Sequence, residues 1–424
     1  ARSALFAPLP NLGLIVADEC HDGSYYQSEP PFYHAVTAAQ IHARLAGAVC
    51  ILGSATPSVV QRHQAETGMG VRLELPLRIS SSGLPPVSVV DMREELKQGN
   101  RGIFSRVLLD ALGQTLNNGE QAILFLNRRG TATYVFCRDC GTVLKCPRCD
   151  TPLTLHLDGR ENLRCHHCGY ERNKPKTCPQ CGSAQIREYG LGSEKVEADV
   201  QSLFPQARTL RWDWETTRQK DAHEMILTHF ANHKADVLVG TQMLAKGLDL
   251  PLVTLVGIVL ADVGLSLPDP FAAEHVFQVL TQVAGRAGRS SRGGQVVLQT
   301  FQPESSVIQF AARHDYEGFY RQELSQRGQL GYPPFGRLAR LEIRDQDSGR
   351  AEAEARQLAG KLSAWIKSEG RTESNLIGPA PAFFSKLAGF YRWQIIVRGP
   401  DPVSLLRGRI PANWRVEVDP ISLL

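Results

Sequence analysis

The chain carries little excess charge of either sign. Lysine and arginine number 47 against 43 aspartates and glutamates, a formal +4 over 424 residues. That excludes a protein that coats nucleic acid by net charge alone, so any such binding needs local patches. Long apolar runs are missing as well. The longest, 253–260 (VTLVGIVL), is far short of the ~20 residues a membrane span needs, and it fits a buried parallel strand. No basic-then-apolar leader precedes an A-x-A-like site, so a cytoplasmic protein with no membrane partner is expected. The pattern G-x-x-x-x-G-K-[ST] is absent. The only Gly-Lys is Gly360-Lys361, followed by Leu362 in a helical stretch, where no phosphate-cradling loop can form. What remains is ordinary globular composition, 42% hydrophobic and 21% charged, which argues against disorder, with a length that suits two or three domains.

Cysteine is concentrated rather than abundant. Eight of the ten lie between Cys137 and Cys181 as four C-x-x-C pairs. A two-residue spacer lets both thiolates of a tight turn face one tetrahedral ion, so eight ligands make two zinc sites. The inner pairs, Cys146/Cys149 and Cys165/Cys168, give C-x2-C-x15-C-x2-C, within the zinc-ribbon range. Nesting is therefore favoured: inner pairs share one zinc, while Cys137/Cys140 and Cys178/Cys181 share the other. The sequential alternative joins Cys137/Cys140 to Cys146/Cys149. Disulfide loops are the competing chemistry, disfavoured in the cytosol. Four thiolates close the coordination shell, so the metals are expected to be structural. His156, His166 and His167 read as packing or solvent-facing residues. The module's basic residues suit either phosphate contact or a solvated surface.

The rest reads as α/β. A strand at 12–17 delivers Asp18-Glu19-Cys20-His21, a helix follows near 38–45, and a strand at 49–52 runs into Gly53 and Ser54. Two strands are too few for a parallel domain, so residues 1–75 are expected to be the later part of one. Residues 76–105, with Pro85-Pro86, read as a linker. A second unit, 106–310, has strands near 121–127, 235–239, 254–260 and 294–299, interrupted by the cysteine module at 134–186. Residues 311–424 read as β-α-β-β-α-β, a ferredoxin-like order.

Four motifs carry chemistry. Asp18-Glu19 ends an apolar strand, where the first acid can hold Mg²⁺ and the second polarise a water; a helix N-cap is the bland alternative. Gly53-Ser54-Ala55-Thr56-Pro57 and 240–249 (GTQMLAKGLD) each follow a strand. The run 282–289 (QVAGRAGR) begins on a helix. Its Arg286 and Arg289, three apart, are expected on one helix face, where two guanidinium forks can clamp a γ-phosphate.

These residues resemble the superfamily 2 helicases. With 124–130 (LFLNRRG), 190–194 (GLGSE), 332–335 (YPPF), 378–382 (GPAPA), 392–394 (RWQ) and the eight cysteines, the chain resembles the replication restart helicases over essentially its whole length. A double zinc module inserted in the second helicase lobe is specific to that family. The resemblance implies RecA-like lobes, the first partial and the second complete, followed by a ferredoxin-like α+β domain. It implies an ATP-dependent 3′→5′ DNA helicase that recognises stalled or branched forks and initiates primosome assembly to reload the replicative helicase, acting at the bacterial nucleoid. Implied partners are forked and single-stranded DNA, single-stranded-DNA-binding protein, primosome proteins and the replicative helicase loader.

Carried over to this sequence, catalysis falls to Asp18, Glu19, His21, Gln282, Arg286 and Arg289. ATP with Mg²⁺ would be met by Ser54, Thr56, Gly240, Thr241, Lys246, Gly247 and Asp249. DNA would be met by Tyr25, Tyr26 and Tyr33 of an aromatic-rich loop, with Arg128, Lys246, Arg392 and Trp393, while Phe32 reads as core. Cys137, Cys140, Cys178 and Cys181 would hold one zinc, and Cys146, Cys149, Cys165 and Cys168 the other. Cys20 stands where the family commonly has Glu, a change expected to be tolerated. The missing phosphate loop and upstream DNA-binding domain mark an N-terminally incomplete chain, expected to be inactive as an ATPase by itself. The alternative is a non-catalytic, zinc-stabilised platform for primosome assembly. A zinc-ribbon RNA-binding protein would leave Gly53–Pro57 and the two arginines unexplained.

Overall fold

The computed structural model describes every residue except 1, 76–82, 128–133, 149–152, 157–161, 166–167, 190–191, 214–215, 218–221, 242–249, 266 and 289–291. The amino-terminal part is a parallel pair of strands, Leu14–Ala17 beside Val49–Leu52. They are joined through the helix Ala35–Ala46, which ends on Gly47 in the left-handed conformation. A second helix, Val59–Glu66, begins with a capping box in which Ser58 and Gln61 each satisfy the other's backbone N–H.

The centre is a six-stranded parallel sheet. Its order across the sheet is Thr209–Trp212, Val237–Gly240, Gln121–Leu126, Val253–Leu260, Gln295–Thr300 and Val87–Asp91. The run 253–260 is the buried strand expected, with all eight residues buried. Gly257 is required within it, because a Cβ would lie 2.7 Å from side-chain carbons of both Leu108 and Leu124. Helices Arg106–Asn117 and Ser193–Leu203 cover one face through Leu108, Leu112, Val196 and Val200. Helices Ala222–Ala231, Ala272–Ala284 and Ser306–Ala312 cover the other through Phe230, Phe277 and Ile308. Val59, from the amino-terminal part, is fully buried in this second cluster.

One expectation changes here. The stretch 76–105, read as a linker, contains the sheet's edge strand Val87–Asp91 and the helix Met92–Lys97. Pro85-Pro86 disguised it, since the prolines stop just before the strand that needs its ladder donors.

The cysteine module is inserted between Gln121–Leu126 and Ser193–Leu203. It is a five-stranded antiparallel sheet in the order Glu171–Asn173, Asn162–Arg164, Thr154–His156, Tyr134–Cys137, Ile186–Tyr189. The carboxyl-terminal domain has the expected β-α-β-β-α-β order. Strands Arg337–Asp345, Asn375–Leu387, Phe390–Gly399 and Arg415–Val418 form an antiparallel sheet with the second and first strands flanking the third, and the fourth beside the first. The long helix Ser348–Ser368 packs on it through Ala355, Leu358 and Leu362.

Candidate active site and metal centres

The acidic motif sits on a tight turn at the end of Leu14–Ala17. Glu19 is held in the left-handed region, φ 48°, a strained position for a residue with a side chain. The turn is fastened to the neighbouring strand's end: Gly53 N–H donates to the Ala17 carbonyl and Cys20 N–H to that of Gly53, both at 2.9 Å. Asp18 is exposed, and its carboxylate accepts the Glu19 N–H at 2.9 Å.

His21 points the other way, into the protein, with a side chain 4% exposed. Its Nδ1 is 2.6 Å from Ser54 Oγ, and its Nε2 is 2.5 Å from the amide nitrogen of Gln282. An amide N–H can only donate, so Nε2 accepts and Nδ1–H donates to Ser54. Ser54 Oγ also accepts from the Thr56 N–H at 3.0 Å. Burial lowers the pKa of His21, against the pull of Glu19 and Asp22 towards the charged form, which suits the neutral tautomer. The Gln282 amide is also 3.4 Å from the Glu19 carboxylate. A continuous polar chain therefore runs from the loop after the second strand, through the acidic motif, to a helix of the central domain.

That helix carries more than Gln282. Glu274, Gln278 and Gln282 fall at i, i+4 and i+8, one face of Ala272–Ala284. Glu274 accepts from the Val59 N–H at 2.9 Å, and Gln278 donates to the Thr56 carbonyl at 3.2 Å. The other Glu274 oxygen accepts from Arg327 at 2.6 Å, and Arg327 donates to Glu323 at 2.8 Å. All three of these charged residues are buried. Sequence reasoning found Gln282 and missed Glu274, Gln278 and Arg327. The signal was there: polar residues at every fourth position, Glu274, Gln278 and Gln282, on a largely apolar helix.

Arg286 is buried, 4% exposed, but not on the helix face expected. The helix ends at Ala284 with Gly285 as its cap, and residues 285–288 form turns. Gly288 takes φ +65°, and a Cβ there would stand 2.8 Å from Gly294 N, so the backbone must leave the helix to make that approach. Gly240 and Thr241 lie at the carboxyl end of Val237–Gly240. Arg289, Arg128, Lys246, Gly247 and Asp249 are outside the described residues.

The aromatic and basic candidates divide. Tyr25 is partly exposed and donates to the Asp18 carbonyl at 2.7 Å. Tyr33 meets Phe6 edge-on, with ring centroids 5.6 Å apart. Tyr26 is buried, and its hydroxyl donates to Glu417. Arg392 is likewise buried and paired with Glu342, which also accepts from Arg344 at 2.6 Å. Burial opposes ionisation of Glu342, but the two guanidiniums hold its carboxyl below the usual range. Tyr26 and Arg392 thus serve packing in this structure and offer no open surface. Trp393 packs partly against the domain core. It also lines a cleft of about 530 Å³ shared with Arg164 of the cysteine module and Lys386.

The cysteines gather as nesting requires. Cys137, Cys140, Cys178 and Cys181 have sulfurs all within 4.8 Å of one another, and so do Cys146, Cys165 and Cys168. Cys149 is outside the described residues. The pairs Cys137–Cys181 and Cys140–Cys178 are 3.6 Å apart, and Cys146–Cys168 is 3.7 Å. A tetrahedron with Zn–S of ~2.3 Å has edges of ~3.8 Å, so these spacings suit a shared ion and exceed a disulfide's ~2.05 Å. Gly141, Gly169 and Gly182 each follow a second cysteine at φ near +73° (73°, 72° and 73°). Each returns its N–H to the carbonyl of the first cysteine at 2.8 to 2.9 Å. Gly141 also lets the first knuckle touch the central domain, since a Cβ would stand 2.4 Å from the Phe301 carbonyl.

A central parallel sheet, a cross-seam polar chain and an inserted cysteine module define a RecA-like helicase core. Three family models agree with it: a helicase conserved C-terminal domain at 207–291, a PriA DNA helicase Cys-rich region domain at 146–172, and a primosomal protein N C-terminal domain at 328–421. The chain is 46% identical over 439 residues to the replication restart protein PriA of Synechocystis, covering 100% of this chain and 52% of that one. It is 44% identical to the Bacillus subtilis protein over 421 residues (99% and 52%) and 41% identical to that of Chlamydia muridarum over 435 residues (99% and 57%). Over essentially its whole length the chain is similar to the PriA replication restart proteins. It spans about half the length of the curated relatives it matches. Among the described residues, no helix is long and apolar enough to cross a membrane.

Proposed function

We propose that this chain supplies the acidic motif, second lobe and carboxyl-terminal domain of an ATP-dependent 3′→5′ DNA helicase. In this reading the protein recognises stalled or branched forks and initiates primosome assembly to reload the replicative helicase. The observation that carries it is the Ser54–His21–Gln282 chain. It ties the acidic motif to the helix that delivers Arg286, which is what coupling hydrolysis to lobe movement requires. Mg²⁺, when bound, neutralises phosphate charge, and Asp18, which is exposed, would hold it. Glu19 orients the attacking water, with neutral His21 and Gln282 fixing its position. Arg286 and Arg289 meet the γ-phosphate, and Ser54, Thr56 and 240–249 respond to nucleotide and DNA.

Two structural Zn²⁺ complete the module, one on Cys137, Cys140, Cys178 and Cys181, the other on Cys146, Cys149, Cys165 and Cys168. The partners are forked and single-stranded DNA, single-stranded-DNA-binding protein, primosome proteins and the helicase loader, in the bacterial cytoplasm. The test is ATP turnover by the longer protein with forked DNA. DNA-dependent turnover that Glu19→Gln abolishes is expected. Primosome assembly without any turnover would instead favour the non-catalytic platform.

A further inference from the structure

The aromatic segment after the acidic motif is held by the far end of the chain. Tyr26 donates its hydroxyl to Glu417, and burial together with that bond pushes the phenol well above its ordinary value, so it remains a donor. Arg340 holds Glu417 from behind at 2.5 Å. Arg415 donates to the Ser28 carbonyl, and its guanidinium lies 4.5 Å from the centre of the Phe32 ring. Arg2 adds bonds to the carbonyls of Ser24 and Tyr26 at 2.8 and 2.6 Å. A guanidinium plane over an aromatic face occupies the place where a nucleobase would stack. At its start, the same segment is tied by Tyr25 to the Asp18 carbonyl.

We propose that strand Arg415–Val418 is a latch that competes with single-stranded DNA for the rings of Tyr26 and Phe32. Bases gain these rings only when Glu417 and Arg415 release them. Release frees a segment anchored at Asp18, so the carboxyl-terminal domain governs how DNA contact reaches the acidic turn. The inference rests on the nucleic-acid reading above.

The test uses this chain, zinc-loaded, with Arg415→Ala, Arg415→Lys and the milder Tyr26→Phe. Hydrogen exchange of the amides in 24–34 reports the latch without DNA, and anisotropy of labelled oligo(dT) reports the competition. Exchange in 24–34 is expected to rise about tenfold in all three, with the strand Arg337–Asp345 unchanged, and oligo(dT) to bind about threefold more tightly. Losing a cation from an ordinary phosphate contact would weaken binding, so tighter binding by Arg415→Ala cannot come from charge. Unchanged exchange in Arg415→Ala and Tyr26→Phe overturns the latch. Faster exchange with equal or weaker oligo(dT) binding overturns the competition. If no chain binds oligo(dT), wild type included, the nucleic-acid reading fails, and exchange alone then decides whether the latch exists.

Discussion

His21 and Gln282 meet across the seam between two parts of the fold, ring nitrogen to amide nitrogen at 2.5 Å. One belongs to the turn that carries the acids and the other to the helix that leads to Arg286. Neither is placed by its own element alone: Ser54 fixes the far side of the ring, and the helix face bearing Gln278 and Glu274 fixes the amide. The pair is therefore a sensitive place to cut the site in two.

Gln282→Ala in the longer protein is expected to lower DNA-stimulated ATP turnover by about a hundredfold, the scale of misplacing a positioned group by ~1 Å. Arg286→Ala is expected to lower it by about a thousandfold, as for loss of an arginine finger. Zinc content should not change in either. Wild-type turnover by Gln282→Ala would show that the cross-seam chain is a packing detail.

Zinc stoichiometry separates nested from sequential pairing. Under nesting, Cys137→Ser with Cys178→Ser disables a single site, whereas Cys137→Ser with Cys146→Ser disables both. Sequential pairing reverses the two results. Metal analysis of each purified double variant gives the answer directly, and the clustering of Cys137 with Cys178 and Cys181 favours the first outcome.

Arg327 stands between two buried carboxylates, Glu274 and Glu323. Arg327→Met leaves both without their cation, an expected loss of about 3–5 kcal/mol in denaturant unfolding. The exposed pair Arg356–Glu352 is the control, and Arg356→Met should cost well under ~1 kcal/mol. Equal losses would mean that Arg327 stabilises the fold no more than a surface side chain.

Asp262 is wholly buried, with the Thr300 hydroxyl at 2.7 Å and the Phe301 N–H at 3.0 Å as partners. Burial pushes its carboxyl up to about 6. An acid raised in the folded state binds its proton more tightly there than when unfolded. Its contribution to stability is full below the unfolded value near ~4 and is lost as pH rises through about 6. Asp262→Asn should remove that slope, so the variant gains on wild type by about 3 kcal/mol between roughly pH 4 and 7. Urea unfolding of both proteins across that range checks it, and a stability difference independent of pH would refute the assignment.

What was legible in the sequence followed from local pattern. The run 253–260 fits a buried strand, too short and too β-branched for a membrane helix, and C-x-x-C pairs name their own chemistry. The carboxyl-terminal order was readable because its strands and helix alternate in length and period. What escaped depends on partners distant in sequence. Arg392 looks like a DNA contact until Glu342 is seen diagonally across the antiparallel pair, where Glu342 faces Gln394. Tyr26 sits in an aromatic run, yet its partner is Glu417, separated by most of the chain. Arg286 looks helical because Gln282 is, while the close approach of Gly288 to Gly294 has no helical period to announce it.

The pairing of Val87–Asp91 with Gln295–Thr300 sets an order of synthesis. The edge strand leaves the ribosome before any other strand of its sheet, and the strand that must hold it leaves last. The cysteine module, whose five strands among the described residues pair with one another, can close while that first strand still waits with its ladder groups open. A strand made first and docked last is an aggregation hazard during translation. Prolines at 85 and 86, placed just ahead of it, shorten the edge a wrong partner could add to.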